Sequence, residues 1–136
     1  MGKSLLERTD RMDNKPCIFC NPENGIILEN ENAYAMLDGF PVTNGHTLII
    51  PKRHFSDYFD IENEELIAIH ELIKLRKEQL MVKDPSIEGF NIGINVGGVA
   101  GQTIFHLHVH LIPRRKNDTQ NPKGGVRGVI PNKMSY

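Results

Sequence analysis

Apolar and polar positions alternate most strictly over residues 105–112, where Phe105, Leu107, Val109 and Leu111 interleave with His106, His108 and His110. A period of two marks a strand, because successive side chains leave opposite faces. The pattern predicts a strand over 104–112, with three imidazoles on one face and Pro113 ending the run. Shorter runs predict four more strands: 25–30 and 33–38 as a hairpin turning at 29–32, then 45–51 closed by Pro51, and 89–96. Between the third and fourth, residues 60–85 read as one long helix. Asp60 stands as its N-cap, acids crowd its first turn, basic residues lie toward its end and Pro85 follows. Leu66, Ile69, Leu72, Ile73 and Leu80 form an apolar stripe that would cover the sheet. The class is α+β, a mainly antiparallel sheet with a single helix. Residues 1–15 read as a flexible polar leader and 16–136 as one domain without internal repeats.

Composition, 39% hydrophobic and 24% charged over 136 residues, is that of one water-soluble domain. No run approaches the ~18 apolar residues of a membrane span. The N-terminus is too polar for a secretory signal, and Leu6 stands where myristoylation wants Ser or Thr. A cytoplasmic protein without a membrane partner is the expectation. The net charge of −1 conceals an asymmetry: residues 1–110 hold ten Lys/Arg against sixteen Asp/Glu, and residues 111–136 hold six against Asp118 alone. That basic tail is either a solvated loop or a cationic wall for a phosphorylated ligand. A nucleic-acid partner is disfavoured, since Tyr136 is the tail's one aromatic and stacking platforms need several.

Three imidazoles on one strand cannot easily share one metal. Cα atoms two apart are separated by roughly 6.6 Å and four apart by about 13 Å. Zinc lies only about 2.0–2.1 Å from a ligating nitrogen. Dividing the labour is easier, with one end of the triad facing a metal and the other facing chemistry. The metal end has further candidates in Cys17 and Cys20, spaced as in a zinc knuckle, with His54 and His106 as partners. Inert or redox-active thiols remain alternatives for the pair. At the other end, His108 and His110 follow a loop containing Gly97, Gly98 and Gly101, which lets backbone approach a phosphate, and the donors Gln102 and Thr103. A neutral imidazole is a capable nucleophile, and a hydrogen bond at one ring nitrogen decides which nitrogen is free to attack. Glycine loop, donors, histidines and basic tail together suit phosphoryl or nucleotidyl transfer.

The run "HLHVHLI" resembles the His-φ-His-φ-His-φ-φ signature of the histidine triad (HIT) family of nucleotide hydrolases and transferases. The likeness extends in order through "CIFC", "AYAMLD", "GHTLIIPKRH" and "NVGGVAGQTIFHLHVHLIPR". It implies a HIT-like fold, a five-stranded sheet that dimerises into a continuous ten-stranded one. It makes His108 the nucleophile, forming a nucleotidyl-histidine that water cleaves to a nucleoside monophosphate. His110 and His46 would support it, and Gln102 and Thr103 would meet the α-phosphate and leaving group. Asp38 would hold the ribose, and Asn95 and Gly101 would lie on the phosphate side. Cys17, Cys20, His54 and His106 would hold a structural zinc ion that the chemistry does not require. The expected partner is a purine nucleotide.

The third triad position is His110, where the uridylyltransferase branch resembles HxHxQ, so hydrolysis is favoured over transfer. "AGQT" and "IPR" look like dinucleoside polyphosphate hydrolases of the fragile-histidine-triad group, and the short chain looks like nucleoside phosphoramidases. The basic tail, with Arg114 and Arg127, favours the polyphosphate chain. The remaining rivals are a non-catalytic nucleotide- or zinc-binding module and a metallohydrolase ligated by the triad. Ile18, Phe19 and Leu37 are candidates for the base pocket. Each assignment has a plainer alternative: Asp38 before Gly39 as a turn, His46 as an exposed strand start, His54 as a cap and Asn95 as a loop tie. His70, beside the helix stripe, reads as structural.

Overall fold

The computed structural model describes residues 17–22 and 25–136; the predicted leader lies outside the described residues. Five strands, β1 (Ile26–Glu29), β2 (Ala33–Leu37), β3 (Thr47–Pro51), β4 (Ile87–Gly93) and β5 (Val109–Arg115), form one sheet in the order β1-β2-β3-β5-β4. Every pairing is antiparallel. The first hairpin turns on Asn30, whose Oδ1 accepts from the N–H groups of Asn32 and Ala33 and whose Nδ2 donates to Ala68 O.

One helix, α1 (Asn63–Lys83), crosses the sheet. It starts later than the sequence suggested. Asp60 closes a separate 3-10 turn, Tyr58–Asp60, capped by Asp57. The helix N-cap is Glu62, whose N–H donates to Glu65 Oε1 at 2.9 Å. The buried face is also turned from the expected stripe, comprising Glu65, Ala68, Ile69, Leu72 and Leu80, while Leu66 is exposed. Glu65 can occupy an apolar face because Arg53 grips it with two bonds of 2.8 and 2.9 Å. His70 is exposed on the helix and belongs to neither histidine-containing cluster.

The period of two in β2 and β3 separates two cores. Ala33, Ala35, Ile49, Val109 and Leu111 pack with α1, whereas Tyr34, Leu48 and Ile50 pack with Cys17, Phe19 and Cys20 on the other face. Leu72, 1% exposed, is central to the helix side, and truncating such a leucine to alanine costs about 2–5 kcal/mol.

The histidine run departs from its expected strand. β5 begins at Val109, so His106 and His108 precede it, and Pro113 lies inside it opposite Phe90. Proline is tolerated because β3 pairs with β5 only through Val109, His110 and Leu111. The Pro113 carbonyl accepts from Thr43 Oγ1 at 2.7 Å, so that backbone edge faces a loop and its missing N–H breaks no ladder bond. Among the described residues no helix is long and apolar enough to cross a membrane.

Candidate functional site

The three triad histidines serve different neighbourhoods. His106 is fully buried with Cys17, Cys20 and His54; His110 lies with Asp38 and His46; His108 stands between, its ring centroid 5.2 Å from that of His110. Each of the two outer groups has donor atoms close enough to surround one ion. Proton bookkeeping separates them.

In the first group, Nδ1 of His54 and Nδ1 of His106 are 3.2 Å apart. Cys17 Sγ and Cys20 Sγ each lie 3.5 Å from His106 Nδ1, and Cys20 Sγ lies 2.9 Å from His54 Nδ1. A tetrahedral zinc site needs roughly 3.3 Å between nitrogens and roughly 3.6 Å between nitrogen and sulfur, given its usual bond lengths. The spacing fits. Nε2 of His106 donates to Pro51 O at 2.7 Å, since a carbonyl only accepts, and Nδ1 therefore keeps the lone pair a metal requires. Burial pushes the Cys17 thiol up to about 12, and a cation among the four groups would reverse that preference. These four residues fit a structural Cys2His2 centre.

The second group fails the same test. The Val42 N–H donates to His46 Nδ1 at 3.0 Å, which places the lone pair there and the proton on Nε2. That protonated nitrogen faces His110 Nδ1 at 3.0 Å and Asp38 Oδ2 at 3.3 Å. His110 Nδ1 thus accepts, and its own proton sits on Nε2. Asp38, His46 and His110 form a hydrogen-bond relay, not a metal site. Burial lowers the proton affinity of both imidazoles; for His110, neighbouring His108 and His46 add to the effect. Neutral rings suit the relay.

His108 Nδ1 lies 2.8 Å from His106 O. The carbonyl can only accept, so in the neutral ring Nδ1 carries the proton and Nε2 the lone pair. Phe19 packs edge-on against His108 at 5.2 Å, and its carbonyl is held by the Tyr34 hydroxyl at 2.6 Å.

The glycine loop turns tightly through Gly98–Ala100. Gln102 is its cross-tie: Oε1 accepts from Gly97 N–H at 2.9 Å, and Nε2 donates to Ser56 O and Ile104 O. Its amide is engaged throughout, so it is not the open donor expected. Thr103 and Gly101 are exposed, and the Asn95 amide lies beside Gly101. Asp38 is engaged at both oxygens, Oδ1 accepting from Phe40 N–H and Oδ2 facing the histidines. Ile18 and Leu37 are exposed, while Phe19 is buried. The tail's cations are largely satisfied within the chain. Asp118 clasps Arg114 with bonds of 2.7 and 2.8 Å, Asp84 holds Arg115, and Lys123 and Arg127 lie over the Tyr136 ring. A cavity of about 680 Å³ runs from His46 and His110 past Ile112 to Arg114 and Asp118.

Sequence reasoning missed the Val42 N–H and Asp118. The first is a main-chain group, signalled only by the turn residues of "PVTNGH"; the second was the lone acid of a basic tail.

The family model described as HIT domain matches residues 21–117. The chain belongs to the HIT family. A HIT-like protein of Mycoplasma genitalium is 44% identical over 104 residues, covering 72% of each chain. The adenylylsulfatase HINT3 of Arabidopsis thaliana is 34% identical over 107 residues, 75% of this chain and 54% of that one. A zinc-bound histidine triad family protein from Mycobacterium smegmatis superposes with a TM-score of 0.68 at 35% identity, covering 77% of this chain and 79% of its own. The HIT fold thus accounts for the five-stranded sheet and single helix.

Proposed function

We propose that this protein is a nucleotide hydrolase that cleaves at the α-phosphate through a nucleotidyl-histidine on His108. One observation carries the reading: the His106 carbonyl 2.8 Å from His108 Nδ1 leaves Nε2 as the nucleophilic nitrogen of the neutral ring. Nε2 attacks the α-phosphorus, a P–N bond forms, and the leaving group departs with the electrons of its bond to phosphorus. Water then cleaves the P–N bond and releases a nucleoside monophosphate. His110, its ring centroid 5.2 Å from that of His108 and its proton on Nε2, donates to a phosphoryl oxygen as charge builds. His46 and Asp38 hold His110 in that state. Gln102 shapes the glycine loop, so phosphate contact falls to the Thr103 hydroxyl and main-chain N–H groups near Gly101, with Asn95 beside them.

A metal in the Cys17, Cys20, His54 and His106 cluster supplies a structural cross-link and takes no part in bond making; the zinc-bound relative supports that ion. A second copy would extend the sheet along β4, which lies at its edge, as the ten-stranded HIT dimer requires. The nucleotide is a purine one.

The leaving group is the open choice between two readings. A dinucleoside polyphosphate fits the family likeness and would place its distal phosphates in the cavity toward Arg114. A compact leaving group, sulfate or an amine, is favoured by the Arg114–Asp118 clasp, because a guanidinium already paired twice offers little to a long phosphate chain. The name of the Arabidopsis relative, an adenylylsulfatase, points the same way. Turnover of diadenosine tetraphosphate, adenosine 5′-phosphoramidate and adenylyl sulfate, side by side in wild type and His108→Asn, tests both levels. Activity confined to wild type supports the intermediate, and the fastest substrate chooses the leaving group. Activity surviving in His108→Asn would falsify the nucleophile assignment. Binding of adenosine monophosphate without any turnover would leave a binding module instead.

A further inference from the structure

The metal cluster and His108 are tied together twice. His106 contributes Nδ1 to the cluster and Nε2–H to Pro51 O, while its own carbonyl receives the His108 Nδ1–H at 2.8 Å. One residue thus holds the ion with its side chain and the nucleophile with its main chain. Phe19 lies in the turn between the two cysteines, 3% exposed, with its ring 5.2 Å from His108 and 6.1 Å from His106.

The segment bearing the nucleophile also lacks a sheet register of its own. His106 and His108 precede β5, whose first paired residue is Val109. The Leu107 N–H donates to Phe55 O at 2.7 Å, one residue beyond His54. The anchors of 106–108 therefore lead back to residues 51–55 and to the Cys17–Cys20 turn. Those are the segments that an ion in the cluster would cross-link.

We propose that metal occupancy of the Cys17, Cys20, His54 and His106 cluster positions His108, fixing its Nδ1–H tautomer through the His106 main chain and the Phe19 ring. His106 and Phe19 act as positioning residues; neither touches the substrate phosphorus. The proposal rests on His108 being the nucleophile. Loss of the ion removes the cross-link between these segments and leaves the Pro51 and Phe55 bonds to hold residues 106–108, so the His106 carbonyl shifts from its aim at His108 Nδ1 and Nε2 spends part of its time protonated. Misplacing a reacting group by about 1 Å costs on the order of a hundredfold in rate. Turnover should fall with little change in KM, since the glycine loop over 97–103 contributes no ligand to the cluster.

The test uses full-length protein labelled with 15N-histidine, followed zinc-loaded, chelator-stripped and reloaded at one pH. The signals lost in His108→Asn identify His108 among the six histidines. In the loaded protein His108 should give one pair of signals with Nδ1 protonated. Stripping should average the pair, lower kcat by about tenfold to a hundredfold and move KM less than about twofold, and zinc should restore both. Unchanged His108 signals in stripped protein with an intact far-ultraviolet circular dichroism spectrum overturn the proposal. If stripping unfolds the chain, cadmium exchange replaces it, the larger ion expanding the same ligand set. Altered His108 signals and reduced kcat at unchanged circular dichroism then support the coupling, and unaltered signals overturn it. A loaded protein that turns over no nucleotide sinks the hydrolase reading, while the His108 signals still decide whether the cluster controls that ring.

Discussion

The main-chain N–H of Val42 lies 3.0 Å from Nδ1 of His46, and that bond sets the protons of the whole Asp38–His46–His110 relay. With Nδ1 accepting, His46 Nε2–H must point to His110 and Asp38. Replacing His46 with Asn shortens the side chain and leaves His110 Nδ1 without its donor. His110 is then free to take the other tautomer. We expect kcat to fall about tenfold to a hundredfold, the usual cost of losing an orienting partner. An unchanged kcat in His46→Asn would remove the relay from the mechanism.

His108→Asn should be far more severe. The asparagine amide is no nucleophile, so turnover should drop by at least about a thousandfold. The fold should survive because His108 is only half-buried, and a melting curve close to wild type would separate lost chemistry from lost structure.

How far the sequence disclosed this arrangement depends on which groups do the work. The division of the triad was legible from an expected strand spacing, although of the three histidines only His110 lies within β5, and the Cys17–Cys20 spacing showed which end would hold an ion. The two-sided sheet was legible from alternation in β2 and β3. The helix start was not, since Asp60 and Glu62 are both acids near a first turn and only tertiary pairing of Glu65 with Arg53 selects the latter. Pro113 was misread as a stop because its effect depends on whether the neighbouring strand still reaches it. Gln102 resembled a free donor, and its three bonds to Gly97, Ser56 and Ile104 close contacts that no linear pattern encodes. Arg114 resembled a free cation for the same reason.

Acid should weaken the fold before any carboxylate titrates. Burial holds His46 and His110 below the ordinary imidazole value, whereas in the unfolded chain they titrate near about 6.5. Between the folded and unfolded values the unfolded state binds protons that the folded state does not, so stability rises with pH there. Their full contribution is present above about pH 6.5 and is lost as pH falls. Melting temperatures should be level around pH 7 to 8 and decline toward pH 5, with a shallower decline in His46→Gln. A melting temperature that climbs on acidification would contradict the burial of these rings in neutral form.

Arg53 and Glu65 join the segment bearing His54 to the start of α1. Burial alone would raise the Glu65 carboxyl, but hydrogen bonds from Arg53 overturn that and hold it below its ordinary value. Arg53→Ala leaves a buried carboxylate without its partner. Removing one member of a fully buried pair costs about 3–5 kcal/mol. Here the Arg53 side chain is 41% exposed, so solvent screening reduces the expected loss to about 2 kcal/mol. The double replacement Arg53→Met with Glu65→Leu should recover most of it, since an apolar pair carries no desolvation cost. Chemical denaturation of the three variants measures this, and a double variant weaker than Arg53→Ala would refute the account.

Gly45 links the sheet to the relay. Its φ of 97° lies in the left-handed region, and a Cβ built there would stand 2.9 Å from Leu80 Cδ2 and 3.3 Å from Pro113 Cγ. Alanine would therefore meet an unfavourable backbone conformation and a close contact at once, for about 1–3 kcal/mol. The Leu80 side-chain tip can yield, but relief of the positive φ requires the chain to shift, and the next residue is His46, 2% exposed and bonded to both Val42 and His110. Gly45→Ala should lose turnover as well as stability. Gly39→Ala is the control, because it has no positive φ and nothing within 4 Å of its added methyl group. Melting temperature and kcat measured on both variants should separate them, with Gly45→Ala low on each and Gly39→Ala near wild type on stability. Equal melting temperatures would mean that the turn before His46 yields without strain, and the tight coupling between that turn and the relay would have to be given up.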